Sequence, residues 1–275
     1  MVELPPLSQI ASLCDVIAQV MNRTANLDYR DPFVDISTYD AEYGEGVMED
    51  PLRTAHKMTR MYLTACGDFV YSIGKLLNVA EPMVVSPAVL ARSAAEHASR
   101  CKYISDPDDE PEIRLSKMFN LLREGFNDFG VNKPGANPAL IEHSKLLNDW
   151  RNKMQLPKTK LPNYAALVLE LSPDMGRAEY ERLSAIAHGS AVTLTEVFLS
   201  AQMGHKKRIE DAWRNGLFAV QCGLLAAANV CILRDGDKTE INHCLALLDE
   251  AVLSYNRYLW DLSMESGFNP GVPRP

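Results

Sequence analysis

The chain has 275 residues, 47% of them apolar, and a formal net charge of −8. That length and apolar share suit a full hydrophobic core, in one large domain or two small ones. The acidic balance argues against non-specific coating of a phosphate backbone and leaves nucleic-acid contact only to a local basic site.

Met1–Pro6 lacks the basic start and apolar core of a signal peptide, so a cytoplasmic protein is expected. Ser8 is a candidate cap for a first helix with Ile10, Leu13, Ile17, Val20 and Met21 on one face. The periodicity fades near Ala25. Residues 26–50 then carry eight acids against one base, Arg30, and read as a solvated acidic loop or lid. Asp50-Pro51 is a helix-start signal. The helix it opens has Leu52, Ala55, Thr59, Tyr62, Cys66, Phe69, Ile73 and Leu76 at spacings of three and four.

Ser86-Pro87 repeats the start signal for a third helix, which stops before Pro107. A fourth opens between Asp109 and Pro111, with Ile113, Met118, Leu121, Leu122 and Phe126 on its apolar side, and breaks between Gly130 and Gly135. Asn137-Pro138 starts a fifth, ending near Gln155, and a proline-bounded connector follows. Asn163 is placed to cap a short helix through Leu171. The next helix carries Tyr180 to His188 and stops at Gly189. Residues 190–204 fit strand or helix equally.

A long helix from about Lys207 to Arg234 is apolar on nearly all sides, which marks it as central. Its stretch Leu217–Leu233 is short for a membrane span and holds Gln221, Gly223 and Asn229, so a buried core helix is expected and no membrane partner. A last helix, about 238–264, repeats Leu245, Leu248, Val252, Tyr255, Leu259 and Leu262. The tail 267–275 should fray. The six cysteines form no CxxC pair and lie in apolar segments, so they read as free, buried thiols. The expectation is one all-α domain over 1–275, a bundle of eight or nine helices.

Two segments hold more polarity than packing requires. In the third helix Arg92, Glu96 and Arg100 recur every four residues, forming one charged stripe on an alanine-rich helix. Buried charges need partners. In the later helix Tyr180, Ser184 and His188 recur in the same way, and His188 ends the helix, where the dipole favours imidazolium. The two stripes are expected to face each other. One reading makes them a site. The other makes Glu96 an internal salt-bridge partner of Arg92 or Arg100, and His188 a cap for helix-end carbonyls.

The segments Arg92-Ser-Ala-Ala-Glu-His97 and Tyr180-Glu-Arg-Leu-Ser-Ala-Ile-Ala-His-Gly189 resemble those of HEPN-type helical proteins (higher eukaryotes and prokaryotes nucleotide-binding), and more closely their actinobacterial relatives. The hallmark of that superfamily is Arg, four to six residues, then His; Arg182 with His188 and Arg92 with His97 both match it. Active members usually carry a polar residue, often Asn, after the Arg, where this chain has Leu183 and Ser93. The resemblance therefore implies either a metal-independent RNase or an inactive relative, in nucleic-acid-linked defence or stress.

In the active case a 2′-hydroxyl attacks the adjacent phosphate. His188 then serves as general base or acid, and Arg182 stabilises the charged transition state. Arg92 and Glu96 complete the catalytic set, and Tyr180, Ser184, His97 and Arg100 are binding residues. Such sites are often built across a homodimer, and the implied ligand is RNA or a nucleotide. On a helix, six positions amount to about 600° of winding, so Arg182 and His188 stand about 120° apart. The rival is a non-enzymatic binding or regulatory module with a protein partner, dimeric through its long final helices.

Asp106-Pro-Asp-Asp-Glu110 is similar to the aspartate-rich motif of helical terpene cyclases, but Pro107 and Pro111 bracket it as a loop and helix cap. Lys206-Lys207-Arg208 reads as a solvated helix start, and His205 as a lone histidine. No metal site and no cofactor are expected.

Overall fold

The computed structural model describes residues 6–79, 83, 85–202 and 205–265; for 200, 201, 205 and 206 it describes the backbone alone. The described residues form eleven helices: α1 (Leu7–Ala25), α2 (Ile36–Tyr43), α3 (Pro51–Leu77), α4 (Val85–Ile104), α5 (Pro111–Asp128), α6 (Pro138–Lys153), α7 (Tyr164–Leu171), α8 (Gly176–Ala187), α9 (Ala191–Gln202), α10 (His205–Leu233) and α11 (Thr239–Glu265). The all-α class agrees with the sequence pattern, but eight or nine helices was too few. The two extra helices are α2, inside the acidic segment, and α9, in the stretch that fitted strand or helix. The tail and the His205 side chain lie outside the described residues.

The centre is a ring of four helices. α1 packs on α3, α3 on α4, α4 on α10, and α10 closes back on α1. Ala88, Ala91, Ala94, Ala95 and Ala98 are fully buried on α4, where their small side chains let neighbouring helices approach closely. α10 is long and apolar enough to cross a membrane, but 72% of its most apolar stretch is buried in the bundle. Its Trp213, Phe218 and Leu224 sit in the main core. α11 covers α10 and α1, while α7 and α8 pack on α4. α5 lies against α3 and α4, and α6 against α5.

Helix ends follow the caps only in part. Asn137 and Asn163 accept from Ala139 and Ala166 as their sequence positions suggest. Ser8 does not cap α1, which begins one residue earlier behind Pro6. Asp50 precedes α3 but makes no cap bond to its backbone. That task falls to Asp40, whose carboxylate accepts the Leu52 N–H at 2.7 Å. Gly189 closes α8 at φ +68°; the Ser190 N–H reaches back to the Ala185 carbonyl at 3.0 Å, a Schellman stop.

The expectation of a solvated acidic loop at 26–50 is corrected: the segment is a strap bound to the bundle. Asp35 caps α2 through the Thr38 N–H at 2.8 Å. Ile36, Tyr39 and Met48 pack with Leu52, Leu115, Phe119, Leu147 and Trp150 in a second core. The Asp31 side chain is fully buried, pairs with the equally buried Arg114, and lies 3.7 Å from His56 Nε2. Arg234 completes the cluster: it donates to the carbonyls of Ala25 at 3.0 Å, Leu27 at 3.2 Å and His56 at 3.1 Å, and its guanidinium lies 4.8 Å from the Tyr29 ring. It thus sits on the negative end of the α1 dipole.

Burial, and then Arg234 and Arg114, hold His56 below the usual histidine range against the pull of Asp31. Burial pushes Asp31 up, but His56, Arg114 and the Phe33 N–H outweigh it, and its carboxyl lies below the usual range. The acids were misread because their number suggested solvation, whereas several are spent on specific internal partners.

Candidate functional site

The two polar helices meet, but not as one cluster. At the α4–α8 contact, Arg92 Nη2 pairs with Glu96 Oε1 at 2.9 Å. The Tyr180 hydroxyl donates to the same oxygen at 2.8 Å, and the Arg92 guanidinium lies 5.8 Å from the Tyr180 ring. Burial, then the bond to Glu96, raises the Tyr180 phenol above its ordinary value. Ser184 follows one turn later; its Oγ is buried without a partner, as is Arg92 Nε.

Arg182 points elsewhere. Its Nε donates to Glu179 Oε2 at 3.0 Å and its Nη2 to Asn215 Oδ1 at 2.5 Å. Glu179 is 4% exposed and also receives Arg214 of α10, so it ties α8 to α10. His188 is exposed at the end of α8; its backbone N–H bonds to Ser184 O at 2.9 Å, and its ring has no partner among the described residues. The chain therefore assembles Arg92, Glu96 and Tyr180, binds Arg182 into a different network, and leaves His188 in solvent. Glu179, Arg214 and Asn215 escaped the sequence reading, although Glu179 stands three residues before Arg182, a spacing that pairs side chains on a helix.

His97 and Arg100 of α4 turn to other neighbours. The stripe of Arg92, Glu96 and Arg100 is split, because Arg100 reaches α5 and pairs with Glu124 at 2.8 Å, its guanidinium 4.4 Å from the Tyr164 ring. The His97 ring packs against Phe69 and Tyr62, with centroids at 5.1 and 6.0 Å. His97 Nδ1 lies 2.8 Å from the Ser93 carbonyl. A carbonyl only accepts, so Nδ1 carries the proton.

His97 also lines an open groove of about 520 Å³ between α3, α4, α5 and α6. Met58, Met61 and Tyr62 form one wall, Leu122, Phe126 and Phe129 the other, and Leu140 one end. Met61 and Phe129 are 68% and 78% exposed, unusual for large apolar side chains at one place. Gly125 lies in the α5 wall, and a Cβ built there meets nothing within 4 Å. Packing does not demand glycine at that position, and glycine inside a helix costs about 0.5–1 kcal/mol relative to alanine. What its bare backbone provides is room in the groove. A lone glycine inside a helical pattern was the one sequence signal for this place.

Among the described residues no three His, Cys, Asp or Glu side chains gather to hold a metal ion. Asp106–Glu110 forms the loop before α5, where Asp109 O accepts from Arg114 Nη2 at 2.8 Å, as the bracketing prolines suggest. Comparison with protein-family models, with curated proteins and with solved structures finds no match for this chain.

Proposed function

We propose that this chain is a non-enzymatic binding module whose groove between α3, α4 and α5 takes a small, largely apolar molecule. The groove carries this reading: about 520 Å³ falls in the range of small-molecule sites, roughly 300–1,000 Å³, which are apolar with few polar groups. The methionines suit a site that adapts to its ligand. The internal pairing of Arg92, Glu96 and Arg182 further supports a structural role for those charges.

The test is a binding titration with naphthalene, followed by NMR on the methyl groups of Met58 and Met61. Shifts confined to groove residues, lost in Gly125→Leu with the fold retained, support the reading. No shift at the groove up to the solubility limit overturns it.

A second reading retains the HEPN resemblance, favoured by the exposed and unpartnered imidazole of His188. In that reading the chain is a metal-independent RNase or its inactive, RNA- or nucleotide-binding relative, with the site completed across a homodimer. RNA cleavage in EDTA that is lost in His188→Ala supports the RNase form; equal cleavage, or none, in both proteins removes it.

A further inference from the structure

We infer that the groove selects ligands that present a hydrogen-bond donor, a hydroxyl on an apolar body, to Nε2 of His97. The inference rests on the small-molecule reading above and names the ligand class.

The groove wall is almost wholly apolar. Thr54 and Tyr62 are the other lining residues with a side-chain hydroxyl; Thr54 donates to Asp50 Oδ1 at 3.1 Å, and Tyr62 lies beside Arg100, whose guanidinium is 5.8 Å from its ring. Arg100, outside the lining, is paired through Nη2 with Glu124 at 2.8 Å. His97 is the lining residue that offers an acceptor ring nitrogen. Its proton is committed to the Ser93 carbonyl through Nδ1 at 2.8 Å, and Nε2, at the far end of the ring, has no partner among the described residues.

In the neutral ring this fixes the tautomer, so Nε2 offers a lone pair and no proton. Phe69 and Tyr62 pack on the imidazole at 5.1 and 6.0 Å and hold it in place, so the acceptor is oriented before a ligand arrives. An apolar ligand that covers Nε2 strips it of water and returns nothing. A ligand with an O–H restores the bond. Sites built in this way reject an analogue lacking the donor more strongly than an apolar wall rejects an extra methylene.

The experiment compares three probes on the full chain at neutral pH: naphthalene, 1-naphthol and 1-methoxynaphthalene. The expected result is that 1-naphthol binds about fivefold or more tightly than either of the others, a ratio typical of one hydrogen bond. It should also shift the ¹⁵N resonance of His97 Nε2, which the other two leave in place. In His97→Leu the three should bind within about twofold of one another. The wild-type comparison and the nitrogen shift need no variant, so a misfolded His97→Leu does not shelter the inference.

If 1-methoxynaphthalene binds as well as 1-naphthol, the donor requirement is wrong while the groove remains a binding site. The same holds if naphthalene matches both. If none of the three perturbs the groove, the small-molecule reading itself fails.

Discussion

At the residue scale, the position of Glu179 and the position of His188 predict opposite behaviour. Glu179 is 4% exposed and takes up both Arg182 and Arg214. Removing one side of a buried ion pair leaves uncompensated charge, at about 3–5 kcal/mol when both partners are buried. Arg214 is partly in water, so Glu179→Ala should cost roughly 2–3 kcal/mol, read as a lower denaturation midpoint at constant slope. His188→Ala touches no partner and should leave that midpoint within about 0.5 kcal/mol of wild type. Gly125 predicts a gain: Gly125→Ala should stabilise by about 0.5–1 kcal/mol, since the methyl group meets open space and the helix loses a flexible residue. A loss there would mean that the glycine is required by packing after all.

At the scale of elements, the acidic strap behaves as a clamp on α3, α5 and α10, and its grip should depend on pH. The folded state holds His56 below its ordinary 6.5, so the unfolded chain binds the extra proton first. Stability contributed by the neutral ring is present above pH 6.5 and is lost as pH falls below it. Asp31 is held below its ordinary 3.8, so its contribution is present above that value and is lost at still lower pH. Urea unfolding between pH 7.5 and pH 5 should show a falling midpoint, and His56→Phe should flatten that slope. Asp31→Ala, which leaves Arg114 buried without its carboxylate, should cost about 3–5 kcal/mol and release the strap to proteolysis.

How much was legible follows from the same elements. Long helices with an apolar face announce themselves, because tertiary burial imposes the 3.6-residue period on the sequence. That is why α3, α10 and α11 read clearly. α2 was hidden because eight residues carry little period, and because Asp31, just ahead of it, acts through a partner 83 positions along the chain. The contact of α4 with α8 was foreseeable from two polar stripes, and Tyr180 with Glu96 realises it. The direction of Arg182 was not, since Asn215 lies 33 positions away and no local spacing announces it. The groove was least legible of all: its walls look like core on each helix, and only their failure to meet makes a cavity.

At the scale of the whole molecule, every one of the six cysteines is buried and free. Burial raises the thiols of Cys66 and Cys222 above the ordinary range and that of Cys101 to about 12. A thiolate is the reactive form, so the native protein should resist an aromatic disulfide reagent at pH 8 and then release six equivalents together on denaturation. Labelling in native buffer would then proceed at the rate of opening of the bundle. Fast reaction of one or two thiols without unfolding would mean that α11 or the start of α1 opens independently.

The place of Arg234 bears on how the chain is made. Its guanidinium reaches Thr24, 210 residues earlier, and the carbonyls it covers belong to a helix that leaves the ribosome long before it. At about 5–20 residues per second, that helix waits roughly ten seconds or more before the arginine that finishes its end exists. Nascent chains stopped short of this point should remain loosely collapsed and depend on chaperones, and synthesis of the stretch that carries Arg234 should trigger closure of the bundle.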